Sequence, residues 1–361
     1  MPRLRELGVT PGRLPTGPLN AITDVPGVKV GHVTLIDGQG TLHPGSGPVR
    51  TGCTAILPHD GNLFRDKVNA AVHTINGFGK AAGFEQIRER GSIETPILLT
   101  NTLNVGQVAD ALTAYMLRDN PDIGLSAGTV CPTVGECNDG FLSDLRGRHV
   151  HQPHVWAAIE NAQGGAVAEG NVGAGTGTGC YQFKGGIGTA SRRIFDGRFT
   201  VGALAQTNMG RREELMVLGA PIGQHFLESH MPETPPGSIM MVLATDAPLT
   251  SRQLTRLAVR AGFGLARTGT VSHDGSGDFV IAFTTTLRRP HSPDDMVRQE
   301  LLFTERGEDI NVFFTAVVEA VEEAILNALC MAETMTGRDG NTLHSIPIDK
   351  LAELLAYYKR R

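Results

Sequence analysis

The segment Pro235-Pro236-Gly237-Ser238-Ile239-Met240-Met241-Val242-Leu243-Ala244-Thr245 sets a hydroxyl residue at the head of an unbroken apolar run, directly after a glycine. A run of this length without polar alternation reads as a strand buried on both faces, and so as a central strand of a covered sheet. The two prolines fix the approach, and Gly237 can take backbone angles that a Cβ forbids. A peptide bond in that setting can be held with the Ser238 hydroxyl close to the Gly237 carbonyl carbon. An N→O acyl shift followed by ester hydrolysis would then cut the chain and leave Ser238 as a new N-terminus. Its amine would lie beside its own hydroxyl, the arrangement in which a terminal amine serves a nucleophile as base. A plain turn entering a strand accounts for the same residues. So does an interdomain linker over the Pro-rich stretch 229–237, SHMPETPPG.

Outward from this strand, apolar runs bounded by Gly, Pro or Asp mark further strands near 27–36, 51–58, 96–100, 164–169, 199–206 and 278–286. Helical periodicity covers about 105–118, 251–265, 310–334 and 347–359. The second helix has Thr250 and Ser251 as caps. The third opens after Asp309, with its glutamates expected on the side opposite its apolar faces. Glu319, Glu322 and Glu323 in that helix exclude it as a membrane span. Strands and helices do not alternate regularly, which argues against Rossmann and TIM layouts. Sheets covered by amphipathic helices give an α/β sandwich, read as a single domain over residues 1–361.

Composition narrows the partners. Thirty-two Lys and Arg against 37 Asp and Glu give a net charge of −5 with no single-sign run, so nothing favours nucleic acid. Five cysteines (53, 131, 137, 180 and 330) form no CxxC pair and leave one over, which reads as a reduced, cytoplasmic protein. The N-terminal MPRLRELGVTPGRLPTG lacks the apolar stretch of a signal peptide. Glycine is high, 45 of 361 residues against a usual share of about 7%. Eight of these fall in 170–188, GNVGAGTGTGCYQFKGGIG, which matches neither a phosphate loop nor a dinucleotide fingerprint. That stretch reads as a wall that lets backbone come close to something.

Other chemistry is weaker. Gly124-Leu125-Ser126-Ala127-Gly128 matches the nucleophile-elbow pattern and opens a rival reading as a conventional serine esterase on Ser126. The flanks required of that motif, a buried strand before and a helix after, are absent from the sequence. No HExxH occurs, and His149, His151 and His154 read as a solvated polar loop without thiolate or acidic partners, so no metal is expected. His225 and His230 flank the Pro-rich stretch and read as structural, while His73 and His273 are weak candidates for a base.

The segment GSIMMVLATDAPL resembles the self-cleavage segment of the DmpA-like aminopeptidases, the L-aminopeptidase/D-esterase and β-peptidyl aminopeptidase family. Asn20–His32, Glu94–Thr102, Gly135–Gly140, Gly170–Gly173, Phe183–Gly188, Gln206–Gly210 and Gly275–Asp278 are similar to family landmarks in the same order. The resemblance implies an αββα sandwich like that of the N-terminal-nucleophile hydrolases, with its own strand connectivity, cleaved between Gly237 and Ser238 into 1–237 and 238–361. It implies Ser238 as nucleophile, Asn208 as donor to the oxyanion, Ser276 and Asp278 as the serine and acidic residue beside it, and Glu136 as the partner of the substrate's amine. Where some relatives use an aromatic residue near Glu136, this chain has Cys137 and Asn138, so no aromatic role carries over. Small peptides, aminoacyl amides or esters are the implied substrates, a homotetramer the implied assembly, and no metal or organic cofactor is needed. A non-catalytic protein of the same fold that holds a small ligand against the Gly-rich wall stays open as the other rival.

Overall fold

The computed structural model describes residues 1–229 and 237–360, so His230, Pro235 and Pro236 of the Pro-rich stretch lie outside the described residues. The strands are β1 (Lys29–Asp37), β2 (Val49–Leu57), β3 (Asp66–Gly77), β4 (Ser92–Ile93), β5 (Ile97–Asn101), β6 (Thr133–Cys137), β7 (Gly179–Cys180), β8 (Phe183–Lys184), β9 (Ile187–Ile194), β10 (Phe199–Asn208), β11 (Ser238–Thr245), β12 (Gly277–Pro290), β13 (Met335–Thr336) and β14 (Thr342–Leu343). The helices are α1 (Phe84–Arg90), α2 (Val105–Asp119), α3 (Gln152–Glu160), α4 (Ser251–Arg267), α5 (Asp309–Cys330) and α6 (Ile348–Tyr357).

Two sheets carry the fold, one ordered β1-β2-β5-β6 and the other β4-β3-β12-β11-β10-β9. Val30, Ile56, Ile97 and Leu99 of the first meet Val68, Val72, Leu204 and Val242 of the second in one buried cluster. Helices α2 and α3 pack their apolar faces on the outside of the smaller sheet. Helices α4 and α5 cover the larger one. The order of layers is thus helix, sheet, sheet, helix, the αββα sandwich that the resemblance implies.

Strand β11 sits inside the larger sheet, antiparallel to β10 and parallel to β12. All eight of its residues are buried. Alternate side chains serve two different cores, with Met240, Val242 and Ala244 between the sheets and Ile239, Met241 and Leu243 under α4 and α5. Both faces are apolar because both are covered, which is why its sequence shows no alternation.

Several elements differ from expectation. Residues 164–169 form no strand; only isolated bridges at Gln163 and Gly170 flank them. Strands β3, β6 and β9 were not foreseen, because Asn69 and His73 interrupt β3, β6 has five residues, and β9 contains Arg192. His154 lies within α3 and not in a loop.

The largest correction concerns α5. Glu319, Glu322 and Glu323 are buried, not solvated. Arg192, fully buried in β9, reaches Glu319 with Nε at 3.0 Å and Glu323 with Nη2 at 2.7 Å. Glu323 is also held by Arg5 at 2.7 Å, and the Glu319 oxygens accept the backbone N–H groups of Arg13 and Leu14. Glu322 pairs with Arg267 at 3.2 Å. The charges are tolerated inside because each meets an opposite charge or a donor. Glycine lets the two elements meet: a Cβ at Gly188 of β9 would run into the Ala324 carbonyl of α5.

The Gly-rich wall is tied from within by Lys184. Its Nζ donates to the carbonyls of Gly175, Thr178 and Gly185 at 3.1, 2.8 and 2.6 Å, while burial pulls its pKa down to about 7. Among the described residues no helix is long and apolar enough to cross a membrane.

Replacing Arg192 by Met removes the one cation shared by two buried carboxylates, leaving Glu319 with backbone donors alone and Glu323 with Arg5. The variant is expected to lose about 3 kcal/mol or more of unfolding free energy, read as a lower urea midpoint at constant slope. A loss under about 1 kcal/mol would contradict a structural role for this ion cluster.

Candidate active site

The pairing that seats β11 also sets what surrounds its first residue. Ser238 is level with Asn208, the last residue of β10, and its neighbour Ile239 is level with Asp278 near the start of β12. Three strand ends therefore bring Ser238, Asn208 and Asp278 together. Ser238 is buried, and its Oγ has no hydrogen-bond partner among the described residues. A buried hydroxyl without a partner is unfavourable unless something else is meant to meet it.

The Asn208 side chain has a defined orientation. Its Oδ1 accepts the backbone N–H of Gly179 at 3.0 Å, and a backbone N–H can only donate, so the amide nitrogen is the free end. That nitrogen is turned to Gly237, where an added Cβ would run into it and into the Asn208 carbonyl. Only glycine fits at 237. An amide donor therefore lies beside the Cα of Gly237, one bond from the carbonyl joined to Ser238.

Asp278 is held from two sides. Ser276 Oγ donates to Oδ1 at 2.5 Å and Ser272 Oγ donates to Oδ2. Burial pushes its carboxyl up, and the two hydroxyls and the Ile239 N–H favour the charged form against that. Ser272, with its left-handed φ of 58°, was not singled out from the sequence; its place on Asp278 is made by the turn, not by any motif.

Glu136 comes from the facing sheet. Strand β6 lies across β11, with the Met240 side chain filling the space above Gly135. Glu136 Oε1 accepts the Lys80 N–H at 2.9 Å and Oε2 accepts the Thr102 hydroxyl. Burial pushes its carboxyl up, and no cation forms an ion pair with it among the described residues. The next residue, Cys137, donates its thiol to the Gln206 carbonyl at 3.3 Å beside Ser238. Burial drives that thiol well above its ordinary pKa, which disfavours the reactive thiolate.

A cavity of about 360 Å³ opens next to Gly237 and Asn208, with Phe141, Met209, Leu343 and Arg338 among its walls. The other sequence candidates lie elsewhere. Ser126 is exposed on a turn that follows α2, with no strand before it and no helix directly after it. His273 bonds Glu214 at 2.7 Å, His225 bonds the Tyr358 hydroxyl at 2.8 Å, and His73 lines a separate cavity with Arg88 and Thr255. His149 meets Asp144 at 3.1 Å, a partner not evident from the sequence. Among the described residues, no group of three or more His, Cys, Asp or Glu side chains is gathered as a metal site requires.

The sequence profile of peptidase family S58 matches residues 20–343. The chain is 42% identical to the β-peptidyl aminopeptidase BapA of Sphingosinicella microcystinivorans, over 99% of this chain and 93% of that one. Its fold superposes on the PH0078 protein of Pyrococcus horikoshii OT3 with a TM-score of 0.94 at 48% identity, covering 99% of this chain and 100% of the other. It also superposes on the L-aminopeptidase D-Ala-esterase/amidase of Ochrobactrum anthropi, described as a new variant among the Ntn hydrolase fold. That match has a TM-score of 0.90 at 40% identity and covers 100% of this chain and 99% of that one. Likeness along the whole length, in sequence and in fold alike, makes this chain a hydrolase that belongs to peptidase family S58.

Proposed function

We propose that the protein is a self-processing serine aminopeptidase that releases N-terminal residues from small peptides, amides or esters through an acyl-enzyme on Ser238. The observation that carries this reading is the unpartnered Ser238 Oγ at the head of β11, between an oriented Asn208 amide and the Asp278 carboxyl. The names of two of these relatives support it, since both describe removal of an N-terminal aminoacyl group.

In the processing step, Ser238 Oγ attacks the Gly237 carbonyl carbon and Asn208 Nδ2 donates to the oxygen that becomes negative. The C–N bond breaks, the amine takes a proton, and Gly237 is left as an ester on Oγ. Water then hydrolyses that ester to a Gly237 carboxylate and a free Ser238 amine. The two pieces, 1–237 and 238–361, stay together because β11 and β12 of the second lie between β3 and β10 of the first.

In turnover, the same hydroxyl attacks the carbonyl of the substrate's first residue and passes its proton to the Ser238 amine. A terminal amine has an ordinary pKa of about 7.7–8.0, suited to that exchange near neutral pH. Ser276, held by Asp278, relays the proton to the leaving nitrogen. Glu136 receives the substrate's ammonium, the cation that this buried carboxylate otherwise lacks. Water then releases the amino acid. The five free cysteines fit a cytoplasmic setting, and the resemblance extends the reading to a homotetramer of processed units.

Ser238→Ala is expected to abolish hydrolysis of alanyl p-nitroanilide, and Asn208→Ala to lower kcat about 10²–10³-fold. Ser126→Ala is expected to retain wild-type rates. Loss of activity in Ser126→Ala with retention in Ser238→Ala would establish the esterase reading, and an inactive wild type the ligand-binding one.

On the acid side kcat/KM is expected to fall first as the Ser238 amine is protonated, and again at a lower limb, above the ordinary glutamate value, where burial raises the Glu136 pKa and protonation removes the ammonium's partner. Activity therefore falls again as pH drops through that raised value. Glu136→Gln is expected to lower kcat/KM about 10²-fold and to flatten this lower limb. A pH profile in the variant that keeps the wild-type lower limb would assign it to another group, Asp278 included.

A further inference from the structure

We propose that the cavity beside Gly237 and Asn208 is a carboxylate subsite of the substrate pocket, with Arg338 as its cation. This rests on the reading of Ser238 and Glu136 given above. Among the described residues, Arg338 is the only charged side chain that lines the cavity; its other walls are glycine, amide, thiol and apolar groups. Arg338 Nε donates to the Gly140 carbonyl at 2.7 Å and Nη1 meets Asp339 at 3.2 Å, which leaves Nη2 without a bond among the described residues. Asp339 does not line the cavity. Two of its fixed donors thus aim the guanidinium while a third stays open, and a planar cation so held suits a carboxylate.

The two charged groups come to the strand ends from different elements. Lys80, whose N–H holds Glu136, follows Gly79, and a Cβ on Gly79 would meet Phe279 and Gly277 at the start of β12. Glu136 therefore stands on a strand that crosses β11, and its partner Lys80 joins it to the start of β12. The cavity is lined by Asn208, Met209 and Gly210, at and just past the end of β10, and by Gly179, so Arg338 belongs to the β10 side. Strands β12 and β10 are separated by β11, two strand spacings or about 10 Å apart. An extended dipeptide spans about 7 Å. Side chains reaching in from these elements bracket a molecule of that length, with the ammonium at one pole and a carboxylate at the other. A cavity of about 360 Å³ is at the lower end of the usual range for small-ligand pockets, which fits a short substrate.

The carboxylate has two possible sources, the free C-terminus of the departing residue and an acidic side chain on the residue transferred to Ser238. Purified processed enzyme separates them with two matched pairs: alanyl-alanine against alanyl-alaninamide, and aspartyl-alaninamide against asparaginyl-alaninamide. At least one carboxylate substrate is expected to exceed its neutral partner about ten-fold in kcat/KM. Arg338→Gln is expected to bring that ratio close to one, and Arg338→Lys, which keeps the charge but not the fork, to retain part of it. A response in the first pair assigns the C-terminus, and one in the second assigns the side chain. Equal rates within both pairs, or a ratio that survives Arg338→Gln, would overturn the subsite while leaving the nucleophile reading intact. No turnover of any of the four, nor of alanyl p-nitroanilide, would overturn both.

Discussion

The burial of β11 on both faces is the constraint on which the rest depends. A strand with Met240 and Val242 in one core and Ile239 and Met241 in another can sit only in the interior of a sheet between two covering layers. Its register with β10 and β12 is then fixed, since a slip of one residue would exchange the two sets. Ser238 follows as a consequence, at the end of a strand that cannot move, with Asn208 and Asp278 delivered by its neighbours. The candidate site residues inherit their positions from the packing of their apolar neighbours.

Buried charge is divided in a way that separates stability from chemistry. Glu319 and Glu323 are matched by Arg192 and Arg5 and join a helix to the sheet beneath it. Glu136, equally hidden, has two neutral donors and no ion pair among the described residues. A matched carboxylate costs little to keep inside, while one held only by neutral donors stays raised in pKa until a cation arrives. On the proposed reading, the contrast is what makes Glu136 the partner of the substrate's ammonium.

What could be read from the sequence follows from how local each signal was. The strand at 238–245 and its neighbours at 199–206 and 278–286 announce themselves by continuous apolar runs, and Thr250 caps α4 as expected, accepting the Gln253 N–H. Strands β3, β6 and β9 were hidden because a buried Asn, a short span and a buried Arg break the apolar pattern. The Glu residues of α5 were misread for a related reason: Arg192, the partner of Glu319, is 127 residues away. The resemblance supplied Asn208, Ser276, Asp278 and Glu136 as members of one site, and periodicity alone would have left each as a turn or loop residue. Thr102 stood in a landmark segment without a role of its own, Ser272 reaches Asp278 through a turn that matches no motif, and Arg338 carried no signal because its partner Gly140 is 198 residues away.

The central claim is that Ser238 becomes a chain end by scission of the bond before it. N-terminal sequencing of the active, purified protein tests this most directly. The account predicts two sequences in equal amounts, one from the start of the chain and one beginning Ser238-Ile239-Met240-Met241. Fully active material that yields only the Met1 or Pro2 start would contradict it.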